Sequence, residues 1–517
     1  MKNKALKMAG VICMLCLFTA GCAGKEAQPE SKQAVYDDEG EPFAEDITDK
    51  DFSEFRTPGS MEAAFEYKNF FLPAVNGIAQ PYVGDAMPYY EDGTYYIYYL
   101  KDGGDSYNHS VFLTKTTDFV TYEEVEGPVL EADRSGGQDA WIGTGSVVKV
   151  KDEYLFFYTG HGSHTDCEFA EKIKVARGSS PKKFEKVEGF EITPPGELNQ
   201  KNDFRDPQGY YDEETGRIIL TVTAAKDGVA RVLKYSVSPD LKDVTYEGII
   251  FDDPEKSFWN LECTDTFKMG DKYYLTYSAQ DDTLWYAVSD TPYGPYTDAA
   301  RVDGKLFYAA KHVESPEGMY MVGWGRRSES PSSTSDVAAW GGNIVVQKIS
   351  QKEDGSLFLS PVDKISEQYI NRRKPLEASD DVTVSAGSRY SYEEYFTSFE
   401  SFMLKGNFRF TGKGSFGLAF DYDGEQDKYK MISVDPEAQS VNLLFNEGST
   451  DITSASAHLT EGETYSFTYI QEGSVGVFYI DGDSSLTVRL YGVTGKSIML
   501  FAENGTAEFT DLRQYTR

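Results

Sequence analysis

Along the first two thirds of the chain, apolar and polar positions fall into one arrangement that recurs five times. A polar turn is followed by a strand-length run dense in Tyr, Phe, Ile or Leu. It reads Asp92-Gly93-Thr94-Tyr95-Tyr96-Ile97-Tyr98-Tyr99, then Asp152-Glu153-Tyr154-Leu155-Phe156-Phe157-Tyr158, then Thr215-Gly216-Arg217-Ile218-Ile219-Leu220. The fourth copy is Gly270-Asp271-Lys272-Tyr273-Tyr274-Leu275-Thr276-Tyr277, and the fifth is Glu317-Gly318-Met319-Tyr320-Met321-Val322-Gly323-Trp324. A period of roughly 50–60 residues is the length of one four-stranded propeller blade. The repeat therefore predicts an all-β fold that opens with a five-bladed β-propeller over residues 61–370. Each copy is expected to be the second strand of its blade, with a third visible after it at 231–236 and 283–288.

From 381 to 517 the pattern changes to short alternating runs, as in Phe408-Arg409-Phe410, Ser415-Phe416-Gly417-Leu418-Ala419-Phe420 and Val475-Gly476-Val477-Phe478-Tyr479-Ile480. Alternation with period two marks half-buried strands, and Asp481-Gly482 is a hairpin-turn signal. A single C-terminal β-sandwich is expected there, separated from the propeller by the charged stretch near 371–381.

The N-terminal end follows neither pattern. Lys2, Lys4 and Lys7 precede a short apolar run from Ala9 to Phe18, and Thr19-Ala20-Gly21-Cys22 follows. A positive segment, an apolar core and small residues describe a secretory signal. Small residues ending at Cys22 resemble a bacterial lipobox, which implies a lipid on Cys22 once residues 1–22 are processed. Residues 23–60 are polar and acidic, without apolar periodicity, and read as a tether. These features place the protein outside the cytoplasm, anchored to a membrane by lipid. Cys13 and Cys16 leave with the signal, so Cys167 and Cys263 alone remain and no disulfide framework is expected.

Composition narrows the partners. The net charge of −34, from 84 Asp and Glu against 50 Lys and Arg, repels a phosphate backbone and excludes nucleic acid as a probable class of partner. A neutral substrate approaches such a surface without penalty. With so many acidic residues, position has to select the functional ones. In a propeller the innermost strands line the axis, and residues just upstream of each repeated strand converge there. Those places hold Gly84-Asp85-Ala86-Met87-Pro88, Gly143-Thr144-Gly145-Ser146, Phe204-Arg205-Asp206-Pro207-Gln208-Gly209 and Trp259-Asn260-Leu261-Glu262-Cys263. Three carboxylates thus fall at nearly one offset, as hydrolysis of a glycosidic bond between two facing carboxyl groups requires.

Arg205-Asp206-Pro207 followed by Glu262-Cys263 resembles the signature pair of glycoside hydrolase family 32, which holds invertases, levanases and inulinases. Gln138-Asp139 with Gly145-Ser146 is similar to that family's third motif, and Phe307-Tyr308-Ala309, Gly323-Trp324 and Trp340-Gly341-Gly342 are similar to its closing blade. The resemblance covers about 69–517. It departs at the first motif, where Trp-Met-Asn-Asp-Pro-Asn-Gly is replaced by Tyr82-Val83-Gly84-Asp85-Ala86-Met87-Pro88 and only the Asp is kept.

The resemblance implies a retaining hydrolase of β-fructofuranosidic bonds, in sucrose or in fructans such as levan and inulin. Asp85 would be the nucleophile, Glu262 the acid/base and Asp206 the stabiliser of the charged sugar. Arg205, Ser146, Asp139, Trp141, His109 and Trp340 are the residues expected to contact sugar. Simpler roles stand beside these. Asp85 also suits a turn cap before Pro88, Cys263 a small buried residue, and any Trp blade packing; Arg205 suits either orienting Asp206 or binding a hydroxyl. The pair His161 and His164 has too few neighbours of ligand type to make a metal site, and neither metal nor cofactor is expected. A monomer is expected. Two other readings fit parts of the sequence: a non-catalytic sugar-binding surface lipoprotein, favoured by the altered first motif, and an inverting arabinan- or xylan-type propeller hydrolase.

Overall fold

The computed structural model describes residues 67–73, 82–102, 109–133, 135–162, 167–198, 201–252, 258–328, 338–370, 381–397, 399–420, 429–445, 447, 451–490 and 497–517. Cys22, the tether 23–60, His164 and the stretch 371–380 lie outside them. The first blade runs Tyr82–Glu91, Thr94–Asp102, Val111–Thr116 and Tyr122–Glu124. The second runs Trp141–Val150, Glu153–His161, Glu171–Ser180 and Lys183–Lys186, and the third Phe204–Asp212, Arg217–Lys226, Val229–Val237 and Val244–Asp252. The fourth is Leu261–Met269, Lys272–Ala279, Leu284–Ser289 and Thr297–Arg301. Phe307–Ser315, Gly318–Ser328, Ala338–Gln351 and Leu357–Ser360 make the fifth. The five repeated runs of the sequence are the second strands.

Their apolar density has a direct cause. A second strand is covered on both faces by neighbouring blades, so Glu153–His161 is buried from Tyr154 to Gly160. The third strand of the same blade alternates, and the outermost strand of blade four, Thr297–Arg301, is largely exposed. In the first blade the connection from inner to second strand is Asp92-Gly93, with φ of 48° and 79°. Both residues are left-handed, as a tight hairpin turn demands. Blades one and five are joined by the Val83–Gly342 bridge into a continuous eight-stranded sheet, which closes the ring.

Helix Asp363–Ile370, which the strand-based reading did not anticipate, follows blade five and buries Ile365 and Tyr369. Beyond it, the strands from 382 to 516 form the β-sandwich. Its last strand, Ser497–Thr516, pairs with Phe416–Phe420 through its first residues and with Ser401–Gly412 through the rest. Propeller and sandwich share core: Phe307, Ile344 and Val345 pack in one cluster with Met403, Ile470, Val475 and Tyr515. Residues 67–73 strap the two together. The amides of Asn69 and Phe70 donate to Glu472 Oε2 at 2.7 and 2.9 Å, and Phe71 O accepts from the Ile344 amide at 2.8 Å.

Candidate active site

All five innermost strands break register at the same height. The irregularities fall between Gly84 and Met87, Ile142 and Gly145, Arg205 and Gln208, Glu262 and Asp265, and Tyr308 and Lys311. An extra residue in each strand kinks the chain toward the axis. In four blades the first residue of the bulge is left-handed and not glycine: Asp85 (φ 50°), Asp206 (φ 60°), Cys263 (φ 51°) and Ala309 (φ 51°). Such a conformation costs about 1–2 kcal/mol per residue and persists where surrounding structure enforces it.

This register resolves the near-equal offset of the three carboxylates into a difference of one residue. Asp85 and Asp206 hold the first bulge position, but in blade four that position belongs to Cys263. Glu262 stands one residue earlier, level with Gly84, Ile142, Arg205 and Tyr308. Two tiers result. The upper tier gathers around Glu262: Tyr308 donates its hydroxyl to Glu262 Oε2 at 2.7 Å, and Arg205 Nη2 lies 3.5 Å from Glu262 Oε1. The other guanidinium nitrogen of Arg205 donates to Glu171 Oε1 at 2.8 Å. Burial opposes ionisation of Glu171, but Arg205, His161 and the Phe204 amide outweigh it and hold its carboxyl below the usual range. Arg205 is therefore a fixed cation that orients Glu262, not Asp206. His161, 3.4 Å from Glu171, belongs to that ion-pair group.

The lower tier holds Asp85 and Asp206. Asp206, 4% exposed, accepts the Cys263 amide at 2.6 Å, and its own amide donates to Thr159 Oγ1 at 2.8 Å. The glutamate–cysteine pair thus does two things: one residue supplies the upper carboxyl and the next supplies a backbone donor to the lower one. The Cys263 thiol is buried and pushed up by that burial, so it is no nucleophile. Burial and then the charge of Asp206 raise Asp85 to about 7, with a Thr144 hydrogen bond and Lys311 opposing. Burial raises Asp206 to about 6 against the pull of Arg205. Glu262 is partly accessible, its side chain 36% exposed, and Asp85 is half-buried.

Around the mouth runs a chain of rings. Trp141 meets His109 at 5.0 Å between centroids, His109 meets Trp340 at 5.6 Å, Trp340 meets Trp324 at 5.4 Å, and Trp324 meets Tyr308 at 5.8 Å. Trp340 lies against Gly84, where a Cβ would stand 2.1 Å from the indole. The missing side chain beside Asp85 is what admits that ring. Trp141, His109 and Trp340 are thus brought together at the carboxylates, and Trp259, 53% exposed, stands just before Glu262 in the chain. Ser146 and Asp139 are not brought there. The Ser146 hydroxyl donates to Pro207 O at 3.0 Å and accepts from the Gly209 amide at 2.9 Å, bracing blade two to blade three. Asp139 takes Lys186 at 2.7 Å and the Tyr158 hydroxyl at 3.1 Å. Their polar groups are engaged by the scaffold. Tyr308, Thr144, Glu171, Trp324 and Lys311 belong to the site and carried no assigned role in the sequence.

A family model described as the glycosyl hydrolases family 32 N-terminal domain matches residues 85–361, from the first axial carboxylate to the end of blade five. The chain belongs to glycosyl hydrolases family 32. Its curated relative sucrose-6-phosphate hydrolase from Escherichia coli is 27% identical over 250 residues, covering 42% of this chain and 49% of that protein. The match spans about half the length of that relative. Among solved structures, exo-inulinase from Aspergillus awamori superposes with a TM-score of 0.67 at 16% identity, over 87% of this chain and 98% of that one. Fructan 1-exohydrolase IIa from Cichorium intybus gives 0.65 at 14%, over 87% and 98%. At these identities the likeness is one of fold, and it extends through propeller and sandwich together. Family 32 membership makes the departure at Gly84-Asp85-Ala86 a variation within the family's site, with Trp340 occupying the space above Gly84.

Proposed function

We propose that this family 32 chain hydrolyses β-fructofuranosidic bonds by double displacement. The observation that carries the reading is the convergence of Asp85, Asp206 and Glu262 on the axis, with Asp85 and Glu262 partly open to solvent and Asp206 buried. An Asp85 oxygen attacks the anomeric carbon as the glycosidic C–O bond breaks, and the Glu262 proton goes to the departing oxygen. Glu262 then takes a proton from water, whose oxygen displaces Asp85 and frees the sugar. Asp206, anchored by the Cys263 amide, faces the positive charge that develops on the ring. Relatives named for sucrose 6-phosphate, inulin and fructan support fructose as the sugar transferred. The rings of Trp141, His109, Trp340 and exposed Trp259 offer apolar faces on which sugars stack.

Incubation with sucrose, inulin and levan, read by chromatography, should release fructose, and proton NMR of the first-formed product should show retained anomeric configuration. An inverted product would sink the double displacement and favour a pentose-acting propeller hydrolase. Absence of turnover on every fructoside would favour a sugar-binding lipoprotein.

The same reading places the protein outside the cytoplasm, as a monomer held to a membrane by lipid on Cys22. Support comes from the signal-like residues 1–22 and the acidic stretch that follows. Cys22→Ala should move the protein from the membrane fraction to the soluble fraction or leave it unprocessed at higher mass. An identical distribution and mass would remove the anchor from this account.

A further inference from the structure

Below the two tiers of carboxylates lies a lysine inside the propeller. Lys311 stands just past the bulge of blade five and is 2% exposed. Its Nζ donates at 3.0 Å to Gly145 O, in blade two. Blades two and five are not neighbours in the ring, so the side chain crosses the axis. Gly145 is held there from both sides: its amide meets Met87 Sδ at 3.0 Å, and a Cβ on it would stand 2.1 Å from Phe157 O.

A buried ammonium is costly unless charge of opposite sign faces it. Among the described residues, no carboxylate lies within 4 Å of Lys311 in an ion pair. The anions above it are Asp85 from blade one and Asp206 from blade three, and its field acts on both. The other groups facing this part of the axis are accounted for. Arg205 is taken up by Glu171, Asp203 and Glu262. Asp265 in blade four is paired with His312 at 2.7 Å, and Cys263 contributes a neutral thiol. Among the described residues, no arginine or lysine stands at hydrogen-bond distance from Asp85.

We infer that Lys311 is a positioning residue, a fixed counter-charge beneath the axis that favours the ionised, attacking form of Asp85. The inference rests on the assignment of Asp85 as nucleophile. Burial and two neighbouring carboxylates push Asp85 toward its neutral form, in which it cannot attack. A cation locked to a backbone carbonyl across the axis offsets that push without occupying the sugar site. It also explains a lysine within the otherwise apolar run Phe307-Tyr308-Ala309-Ala310.

The test is the pH dependence of kcat/KM for sucrose hydrolysis by the full chain and by Lys311→Met, which keeps the length of the side chain and removes the charge. The acid limb should move up by about half a pH unit or more, the direction that loss of an opposite charge dictates. Activity should approach that of the parent at high pH, and Lys311→Arg should restore most of the shift. A uniform loss at every pH with an unmoved acid limb would make Lys311 a plug of the axis only and overturn the inference. A parent without turnover on any fructoside would defeat the assigned activity instead. In that case carboxyl-carbon NMR of the Asp-labelled protein still decides, because the Asp85 resonance must titrate at higher pH in Lys311→Met than in the parent. Unchanged titration would overturn the inference on that readout too.

Discussion

Asp85→Ala and Glu262→Ala are each expected to lower turnover of a β-fructoside by about three to five orders of magnitude, as removal of one member of a cooperating pair does. The two should be told apart by azide. With Asp85→Ala, azide enters the vacated space and attacks from the nucleophile's side, giving a fructosyl azide of inverted configuration. With Glu262→Ala the covalent intermediate still forms from a substrate whose leaving group needs no proton, and azide then replaces water to give the retained azide. The tiers described above make this asymmetry physical. Asp85 stands at the bulge of blade one in the lower tier, whereas Glu262 stands one level above it and is held by Tyr308 and Arg205. Asp206→Asn should lower kcat far more than it raises KM, because its charge acts on a centre that is cationic only in the transition state. Turnover of Asp85→Ala within tenfold of the parent, or identical azide products from both variants, would remove the roles assigned here.

Much of this site was legible in the chain because two physical constraints leave marks on sequence. Second strands are covered on both faces, so they appear as apolar runs that repeat with the blade. Inner strands bring their upstream residues to one axis, so an offset from those runs finds Asp85, Asp206 and Glu262. What the offset does not resolve is a shift of one residue. Whether Glu262 or Cys263 occupies the bulge is decided by pairing of Glu262 with Ser278 and of Asp265 with Thr276, which no local pattern reveals. Motif likeness has a similar limit. Ser146 sits in a family-like segment, yet its hydroxyl is consumed by Pro207 and Gly209 from the next blade. Lys311 left a signal that periodicity alone does not interpret: a charge inside an apolar inner strand. Helix Asp363–Ile370 was missed because eight residues carry little periodicity, and tertiary burial of Ile365 and Tyr369 fixes it.

Among the described residues the C-terminal sandwich supplies no axial carboxylate, and its effect should be on stability, through Asp303. This carboxylate is fully buried where blade five meets the sandwich. One oxygen accepts the amides of Gly304 and Thr487 at 2.6 and 2.8 Å. The other accepts Thr487 Oγ1, Ser485 Oγ and Gln347 Nε2 at 2.9, 3.0 and 3.0 Å. Asp303→Ala strands those donors away from water, and at about 1–3 kcal/mol for each unsatisfied group the loss should reach about 3 kcal/mol or more. Asp303→Asn should behave differently. Its amide oxygen keeps the two backbone donors, and the two hydrogens of the new NH2 go to Gln347, which turns its unpaired Oε1 toward them, and to one of the hydroxyls of Ser485 and Thr487, which rotates to accept. Burial raises the Asp303 carboxyl above its usual range, and the surrounding donors, the Thr487 amide first among them, only partly offset it. A folded-state value above the unfolded one means that the aspartate's contribution is whole below about pH 3.9 and is lost as pH rises through the folded value. The melting temperature of Asp303→Asn should therefore gain on that of the parent as pH rises from about 3.9 through the folded value. Asp303→Ala should melt several degrees below both throughout. Turnover at ambient temperature should be unchanged in both variants, since Asp303 touches none of the axial residues. Equal melting of the alanine and asparagine variants would show that the donors around Asp303 find other partners and that this contact does not hold the sandwich to the propeller.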